Sequence, residues 1–370
     1  MRILHLIPIL SGGGAEQQLS YLAPELACMG HEVNIAYSKE GPYKPKLHGV
    51  VHHQFRTRSN YDPYLLWKLL RLIQCIKPDI IHTWILQMDI LGGMAARFSG
   101  IPWILRESSS AMAYLPTWKH RLRVWVGSCA SAIVSNSSGG DEYWKTQLPH
   151  SRRYVVRNGL PVLEIDRTLA TVPAGFSKCE APIVLYAGRL TSDGSAIKNL
   201  KPFLEALKCV RQKQEMLGVL CGDGPQRSEL EVLRHRLDLD ADVHFTGYLP
   251  AASVWALMKK ASIFVSLSGF EGCPNAVIEA MACGCPLVVS DIPAHREFLD
   301  ESCALFVDPS NIQQTADTIV QALCNVDASK GRAFIAKKKT QALSIAEMAR
   351  NYERVYKEVI SHHSPSVHER

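Results

Sequence analysis

The densest chemistry lies at Phe270-Glu271-Gly272-Cys273-Pro274-Asn275-Ala276-Val277-Ile278-Glu279. Glu271 falls in a loop ahead of a helix, and Glu279 falls more than one turn inside it. Two carboxylates so spaced can face one ligand at two points. They accept hydrogen bonds, and the paired hydroxyls of a sugar or a ribose donate them. The amides of Asn275, Ala276 and Val277 lack helical partners at the helix start, so they can receive an anion such as phosphate. Helix capping would account for Glu271 but not for Glu279.

Two cations stand upstream. Gly188-Arg189-Leu190 follows an apolar run, and Lys198 opens the next helix. A guanidinium forks onto phosphate oxygens and an ammonium adds a point charge, so both can serve one diphosphate. The intervening loop carries an Asp193-Gly194 turn that lets Lys198 return to the site. A further anion candidate is Ser11-Gly12-Gly13-Gly14-Ala15-Glu16, between the first strand and the first helix. Glycines admit a close approach of backbone N–H groups, and the helix dipole favours negative charge. The segment is not G-x-G-x-x-G, so a dinucleotide reading is weak.

Metal chemistry finds little support. Asp238-Leu239-Asp240 has the D-x-D form, but it ends a helix in a charged stretch and reads as a solvated turn. Neither C-x-x-C nor H-E-x-x-H occurs among the 11 cysteines and 14 histidines. Cys28, Cys75, Cys129, Cys209 and Cys221 lie in apolar stretches and read as buried. Cys283 and Cys285, flanking Gly284, read as small packing residues. Neither a zinc site nor a disulfide framework is expected.

These residues need strands and helices to place them. Ile3–Ile7 is an apolar run, and 15–30 has Leu19, Leu22 and Leu26 at helical spacing with Gly30 as its stop. Strands are expected at 32–37, 79–82, 103–105 and 132–135, with helices at about 63–77, 88–99 and 117–130. Periodicity fades over 160–181, which reads as a linker. A second series then follows. Its strands lie at 183–187, 218–221, 243–245, 263–267 and 287–289, and its helices at 200–211, 228–236, 253–259 and 276–283. A last amphipathic helix spans about 345–360, ahead of a polar tail. The order predicts an α/β protein with two Rossmann-like doubly wound domains, residues 1–165 and 166–344. Their sheets' carboxyl ends face a central cleft, and residues 345–370 pack back toward the first domain.

Size and charge agree with this. The chain has 370 residues, 47% hydrophobic and 21% charged, enough for two cores. Net charge is +6. The first 165 residues hold 18 basic and 11 acidic side chains, a balance of +7, against −1 for the rest. A basic first half suits an anionic partner. The longest uncharged run, Val124–Gly140, is too polar to span a membrane. The start reads as a strand rather than a signal peptide, so a cytoplasmic protein is expected. Trp118, Leu122, Trp125 and Val126 recur at helical spacing among Lys119, His120, Arg121 and Arg123. Leu65, Leu66, Leu69, Leu70, Ile73 and Ile76 form a second stripe beside Trp67, Lys68 and Arg71. Such helices either lie on a lipid interface or face a core with a solvated basic side. The charge imbalance favours the lipid interface, on the inner face of the cell membrane.

The set as a whole resembles the family 4 retaining glycosyltransferases of GT-B fold, especially bacterial enzymes of surface-polysaccharide, O-antigen and lipid-linked oligosaccharide assembly. The resemblance rests on Gly188-Arg189-Leu190, Lys198, Gly222-Asp223-Gly224-Pro225, Phe245-Thr246-Gly247 and Glu271-x7-Glu279, with Gly13 to Glu16, Pro78 to His82 and Asn158-Gly159 in the first half. It implies transfer of a sugar from a nucleotide-diphosphate donor, UDP favoured over GDP, to a glycan or polyprenyl-diphosphate-linked acceptor. It implies no metal and no cofactor. Arg189 and Lys198 would neutralise the departing diphosphate, Glu271 would hold sugar hydroxyls and Glu279 the ribose. Gly272, Cys273 and Asn275, with Ala276 and Val277, would approach sugar or phosphate. Gly222, Gly224, Thr246 and Gly247 would wall the nucleobase, and Gly13 and Gly14 would close over the phosphates. Where the family often has a first-domain His, this chain reads Arg106-Glu107-Ser108-Ser109-Ser110. Glu107 either assists the acceptor hydroxyl or pairs with Arg106. Two other classes stay open: a nucleotide-sugar epimerase on a similar scaffold, and a non-catalytic partner of a membrane assembly complex. Nucleic-acid binding lacks an aromatic-basic sheet motif.

Overall fold

The computed structural model describes residues 1–10, 13–41, 47–57, 62, 64–110, 114, 117–170, 181–191 and 197–363. Two compact units emerge: 1–159 with 343–370, and 160–342.

The first unit holds β1 (Arg2–Leu6), β2 (Ile9–Leu10), α1 (Gly14–Cys28), β3 (Glu32–Tyr37), β4 (Lys39–Glu40), β5 (Val50–Gln54) and α2 (Tyr64–Ile76). It continues with β6 (Ile80–Trp84), α3 (Ile85–Ser99), β7 (Trp103–Glu107), α4 (Trp118–Gly127), β8 (Ala132–Ser135), α5 (Ser138–Gln147) and β9 (Arg153–Val155). Seven strands form a parallel sheet in the order β5-β3-β1-β6-β7-β8-β9. Side chains alternate across it. Ile3, Ile80, Trp84 and Ile104 pack toward Leu19 and Leu22 of α1. Leu4, Ile81 and Leu105 pack on the other side with Leu69 of α2, Ala95 of α3, Val126 of α4 and Trp144 of α5.

The second unit holds α6 (Val162–Arg167), β10 (Ile183–Ala187), α7 (Leu200–Arg211), β11 (Leu217–Cys221), α8 (Arg227–Arg236), β12 (Val243–Gly247), α9 (Ala251–Lys260) and β13 (Ile263–Ser266). Then come α10 (Asn275–Cys283), β14 (Leu287–Ser290), α11 (Pro293–Arg296), β15 (Leu305–Val307), α12 (Ile312–Cys324) and α13 (Val326–Lys339). The parallel sheet runs β12-β11-β10-β13-β14-β15. Chain direction across the sheet reverses between β10 and β13. In an open α/β sheet, ligands settle in the crevice at that point, beyond the carboxyl ends of the strands. Phe203, Leu204, Leu207 and Val210 of α7 and Ile319 of α12 pack on Val184, Leu220 and Val265. The last helix, α14 (Ile345–His363), belongs to the first unit, with Tyr352, Val355, Tyr356 and Val359 buried beside α1.

Several sequence expectations shift. The unit boundary falls after Gly159, not 165, because the expected linker folds into α6. The Asp166 and Thr168 carbonyls accept from Lys259 Nζ (3.1 and 2.7 Å), and Asp166 pairs with Lys337 at 2.8 Å. The later part of that linker, residues 171–180, lies outside the described residues. Cys28, Cys75 and Cys129 are exposed rather than buried, since they occupy outward positions around α1, α2 and α4. Asp240 is a surface partner of Arg234 (2.9 Å) and His235 (2.7 Å), as a solvated turn requires. The edge strands β5, β9 and β15 and the helices α5, α12 and α13 went unread. β9 and β15 have three residues each, β5 is largely exposed, and α13 has no single apolar face, with only Ser329, Ala333 and Ala336 buried.

Candidate functional site in the second unit

Each of β10 to β13 closes at or leads into one of the candidate residues. Gly188 and Arg189 follow β10, Gly222 follows β11, Gly247 closes β12 and Glu271 lies in the loop after β13. The glycines permit an unusually close backbone approach. Gly188 N–H bonds Cys221 O (2.9 Å), and Gly222 N–H bonds Gly247 O (2.9 Å). Gly222 has φ +136°, and a Cβ there would run into the Gly188 carbonyl oxygen. A Cβ on Gly224 would meet the Leu190 carbonyl oxygen. These glycines form a tight backbone floor, with the Gly222 amide used inside the protein. Thr246 Oγ1 donates to Gly247 O at 2.8 Å, completing that edge.

The charged residues lie on the segments that follow β10 and β13. Lys198 Nζ pairs with Glu271 Oε1, which also accepts from Ser268 Oγ at 2.7 Å. Residues 192–196, including the expected Asp193-Gly194 turn, lie outside the described residues, but Lys198 itself is anchored. Gly269 N–H bonds Ile197 O (2.8 Å), and Asn199 Nδ2 donates to Leu267 O (2.8 Å). These two bonds tie the start of α7 to the β13–α10 loop, so cation and carboxylate arrive together. Asn199 adopts the left-handed conformation, φ 51°, which an Asn tolerates better than most residues. The Arg189 side chain is exposed, with no ion pair or side-chain hydrogen bond among the described residues. A desolvated ligand anion would be its natural partner.

Glu279 lies on α10 and accepts from Trp255 Nε1 of α9 at 3.1 Å. At the start of α10, the Asn275 amide is spent on Cys273 O (2.9 Å), in a tight turn centred on Pro274 and following the buried Gly272. That corrects the expectation that Asn275 N–H faces a ligand. No side chain caps this helix, which leaves the next amides, of Ala276 and Val277, directed along its axis. Sequence reasoning missed Ser268, Ser290, His295 and Asn199. Each is a polar residue next to an apolar run, which by itself signals only a strand or helix end.

The first unit places its own candidates differently. A Cβ on Gly13 would strike the Glu16 carboxylate, so a buried internal anion already sits at the α1 start. A phosphate over Gly13 and Gly14 would have to displace it. Glu107 is fully buried. It accepts from Arg123 Nη1 (2.8 Å), Trp144 Nε1 (2.8 Å), Ser109 N–H (2.8 Å) and Tyr114 Oη. Burial raises this carboxyl, but Arg123 and those donors hold it below its usual value. Four donors leave it no lone pair for an acceptor hydroxyl, and it is not paired with Arg106. Both readings of Glu107 give way to a structural role. Arg106 lies on the other side of the sheet, donating to Tyr352 Oη (2.9 Å), Ser108 Oγ (2.7 Å) and Asn158 Oδ1 (2.7 Å).

The two apolar stripes are core faces: Leu65, Leu69, Ile73 and Val126 are buried. Their tryptophans are not. Trp67, Trp118 and Trp125 are 55%, 66% and 69% exposed, and Phe98 of α3 is exposed between them in sequence. Arg71 stacks on Trp67 (5.0 Å) and Lys119 on Trp118 (5.9 Å). Among the described residues, no helix is long and apolar enough to cross a membrane.

Comparison with known proteins bears on both units. Residues 12–162 match the family model described as Glycosyltransferase Family 4, and residues 181–325 match Glycosyl transferases group 1. The uncharacterized glycosyltransferase MJ1607 of Methanocaldococcus jannaschii is 25% identical over 333 residues, 81% of this chain and 82% of that one. An Escherichia coli UDP-Gal:alpha-D-GlcNAc-diphosphoundecaprenol alpha-1,3-galactosyltransferase is 24% identical over 359 residues, 89% of each chain. Anabaena Alr3699/HepE, crystallised with UDP and glucose, has the same fold at a TM-score of 0.83 and 19% identity, covering 97% of this chain and 100% of that one. With glycosyltransferase models matching each unit in turn and two doubly wound parallel sheets to carry them, the chain belongs to the family 4 glycosyltransferases of GT-B fold.

Proposed function

We propose that the protein transfers a sugar, with retention at the anomeric carbon, from a nucleotide-diphosphate donor bound in the second unit. The carrying observation is the Lys198–Glu271 pair at the β10/β13 reversal, with Arg189, unpaired among the described residues, on the neighbouring loop. Breaking the anomeric bond leaves negative charge on the diphosphate. Fixed cations placed where that charge develops stabilise the transition state most. Lys198 and Arg189 take that role, joined by the first free amides of α10, so a metal is not needed for charge neutralisation. Glu271 accepts from sugar hydroxyls while its Lys198 partner turns toward phosphate. Glu279, steadied by Trp255, accepts from the ribose. UDP is favoured over GDP, a reading supported by the HepE complex with UDP and by the UDP-Gal named for the E. coli relative.

The acceptor is a glycan or lipid-diphosphate-linked sugar of cell-surface polysaccharide assembly, reached at the inner face of the cytoplasmic membrane. Diphosphoundecaprenol and diphosphopolyprenol acceptors in relatives' names support this. So does the aromatic and basic outer side of α2 and α4, which suits an anionic headgroup layer. The test offers a panel of UDP- and GDP-sugars and follows thermal shift, slow hydrolysis and transfer to a polyprenyl-diphosphate sugar. We expect stabilisation and turnover with a UDP-sugar. Epimerisation of the donor without any transfer, or no binding at all, would contradict the reading.

A further inference from the structure

Behind Glu271 lies a buried histidine that the proposed chemistry does not use. His295 of α11 is 0% exposed. Its Nδ1 is 2.8 Å from the Ser290 carbonyl oxygen and 3.3 Å from Ser290 Oγ. A carbonyl only accepts, so Nδ1 carries the hydrogen and the neutral ring presents Nε2 as an acceptor. Nε2 is buried and has no partner among the described residues. Burial pushes the imidazole below its ordinary pKa, with Lys198 adding to this and Glu271 and Asp291 opposing it.

The contacts run onward in one direction. Ser290 Oγ donates to Ser268 O at 2.5 Å, and Ser268 Oγ donates to the same Glu271 oxygen that Lys198 holds. The next residue clamps the turn from outside. Arg296 forks onto both Asp291 oxygens (2.6 and 2.8 Å), pairs with Glu301 (2.6 Å) and stacks 3.6 Å over Phe306. The segment 290–296 is thus fixed on both sides: the ring holds the Ser290 backbone, Ser290 Oγ holds the Ser268 carbonyl, and the hydroxyl of that same Ser268 meets Glu271. A pinned carboxylate meets a hydroxyl without first losing rotamer freedom.

We propose that His295 is a positioning residue of the donor site: through Ser290 and Ser268 it holds the Glu271 carboxylate in the orientation that receives the sugar. The proposal rests on the donor reading given above. It separates sugar handling from nucleotide handling, because the chain of contacts ends on Glu271 and not on Glu279.

The test compares wild type, His295→Ala, His295→Asn and Ser268→Ala in the full-length protein. Calorimetry measures UDP affinity, and turnover of the UDP-sugar accepted by wild type gives kcat and KM. Asn places an amide N–H near the Nδ1 position, whereas Ala does not. His295→Ala and Ser268→Ala should each lower kcat about tenfold, the scale of one lost hydrogen bond. His295→Asn should recover to within about threefold of wild type on the same scale. UDP affinity should be unchanged in all. Full kcat in His295→Ala overturns the proposal. So does equal loss in the Ala and Asn variants with weakened UDP binding, which marks a merely structural residue. If His295→Ala does not fold, a normal kcat in folded Ser268→Ala overturns it alone. A wild type that binds no nucleotide is a different result: it removes the donor reading and, with it, this inference.

Discussion

Lys198 and Glu271 sit in contact while the Arg189 side chain has no partner among the described residues, and this asymmetry separates their expected variants. Arg189→Ala should leave donor binding close to wild type and lower kcat about a hundredfold, as for other lost transition-state donors. Glu279→Ala should weaken donor binding about tenfold, by one hydrogen-bonded carboxylate, with a smaller effect on kcat. Equal kinetics in both variants and wild type would contradict the assignment. Glu107 belongs to a different class. Its removal leaves Arg123 buried with Asp89 as its one ionic partner among the described residues. Glu107→Ala should cost about 3–5 kcal/mol of stability in urea titration. A stable variant with specific loss of transfer would restore a catalytic role. His5 provides a pH dependence. Burial and then the Arg106 charge lower its pKa from 6.5 to about 3. As pH falls below 6.5 the unfolded chain binds the proton and the folded chain does not, so stability declines progressively toward pH 3. His5→Asn should flatten the slope of urea midpoint against pH between 6.5 and 4; an unchanged slope contradicts this.

Elements decide which of these residues meet. The second-unit helices and strands were legible because their apolar spacing is regular: α7 buries 200, 203, 204, 207 and 210, and β10 is buried throughout. The loop position of Glu271 and the helical position of Glu279 were legible because the flanking apolar runs place β13 and α10 predictably. What spacing does not reveal is tertiary pairing. Nothing in Arg106-Glu107 announces that alternate residues of β7 leave on opposite sides, one to α14 and one to Arg123 of α4. Nor does Gly13 announce that the Glu16 carboxylate folds back against it. The α4 stripe shows the same limit. Leu122 and Val126 turn inward while Trp118 and Trp125 turn outward, although all four share helical spacing. The double variant Trp118→Ala, Trp125→Ala should change stability by less than about 0.5 kcal/mol, as exposed substitutions do. It should also reduce sedimentation with anionic vesicles. Wild-type binding by this variant, or salt-insensitive binding by the native chain, would reject the lipid-facing role.

At the scale of the molecule, the two doubly wound units differ in their chemistry. The first is basic, aromatic on its outer helices and internally saturated around Glu107 and Arg106. The second carries cations, carboxylates and a glycine floor at its sheet's reversal point, where ligands of such sheets lie. The fold was readable from alternating strand and helix periods, and the family from motifs spread over both halves. The unit boundary was not, because α6 is held by Lys259 and Lys337, far away in sequence. The most direct measurement is a crystal structure of the protein with a UDP-sugar bound. The account predicts the diphosphate at the β10/β13 reversal within hydrogen-bond reach of Lys198 Nζ and the Arg189 guanidinium, with sugar hydroxyls on Glu271. A diphosphate bound elsewhere, with both cations turned to solvent, would contradict it.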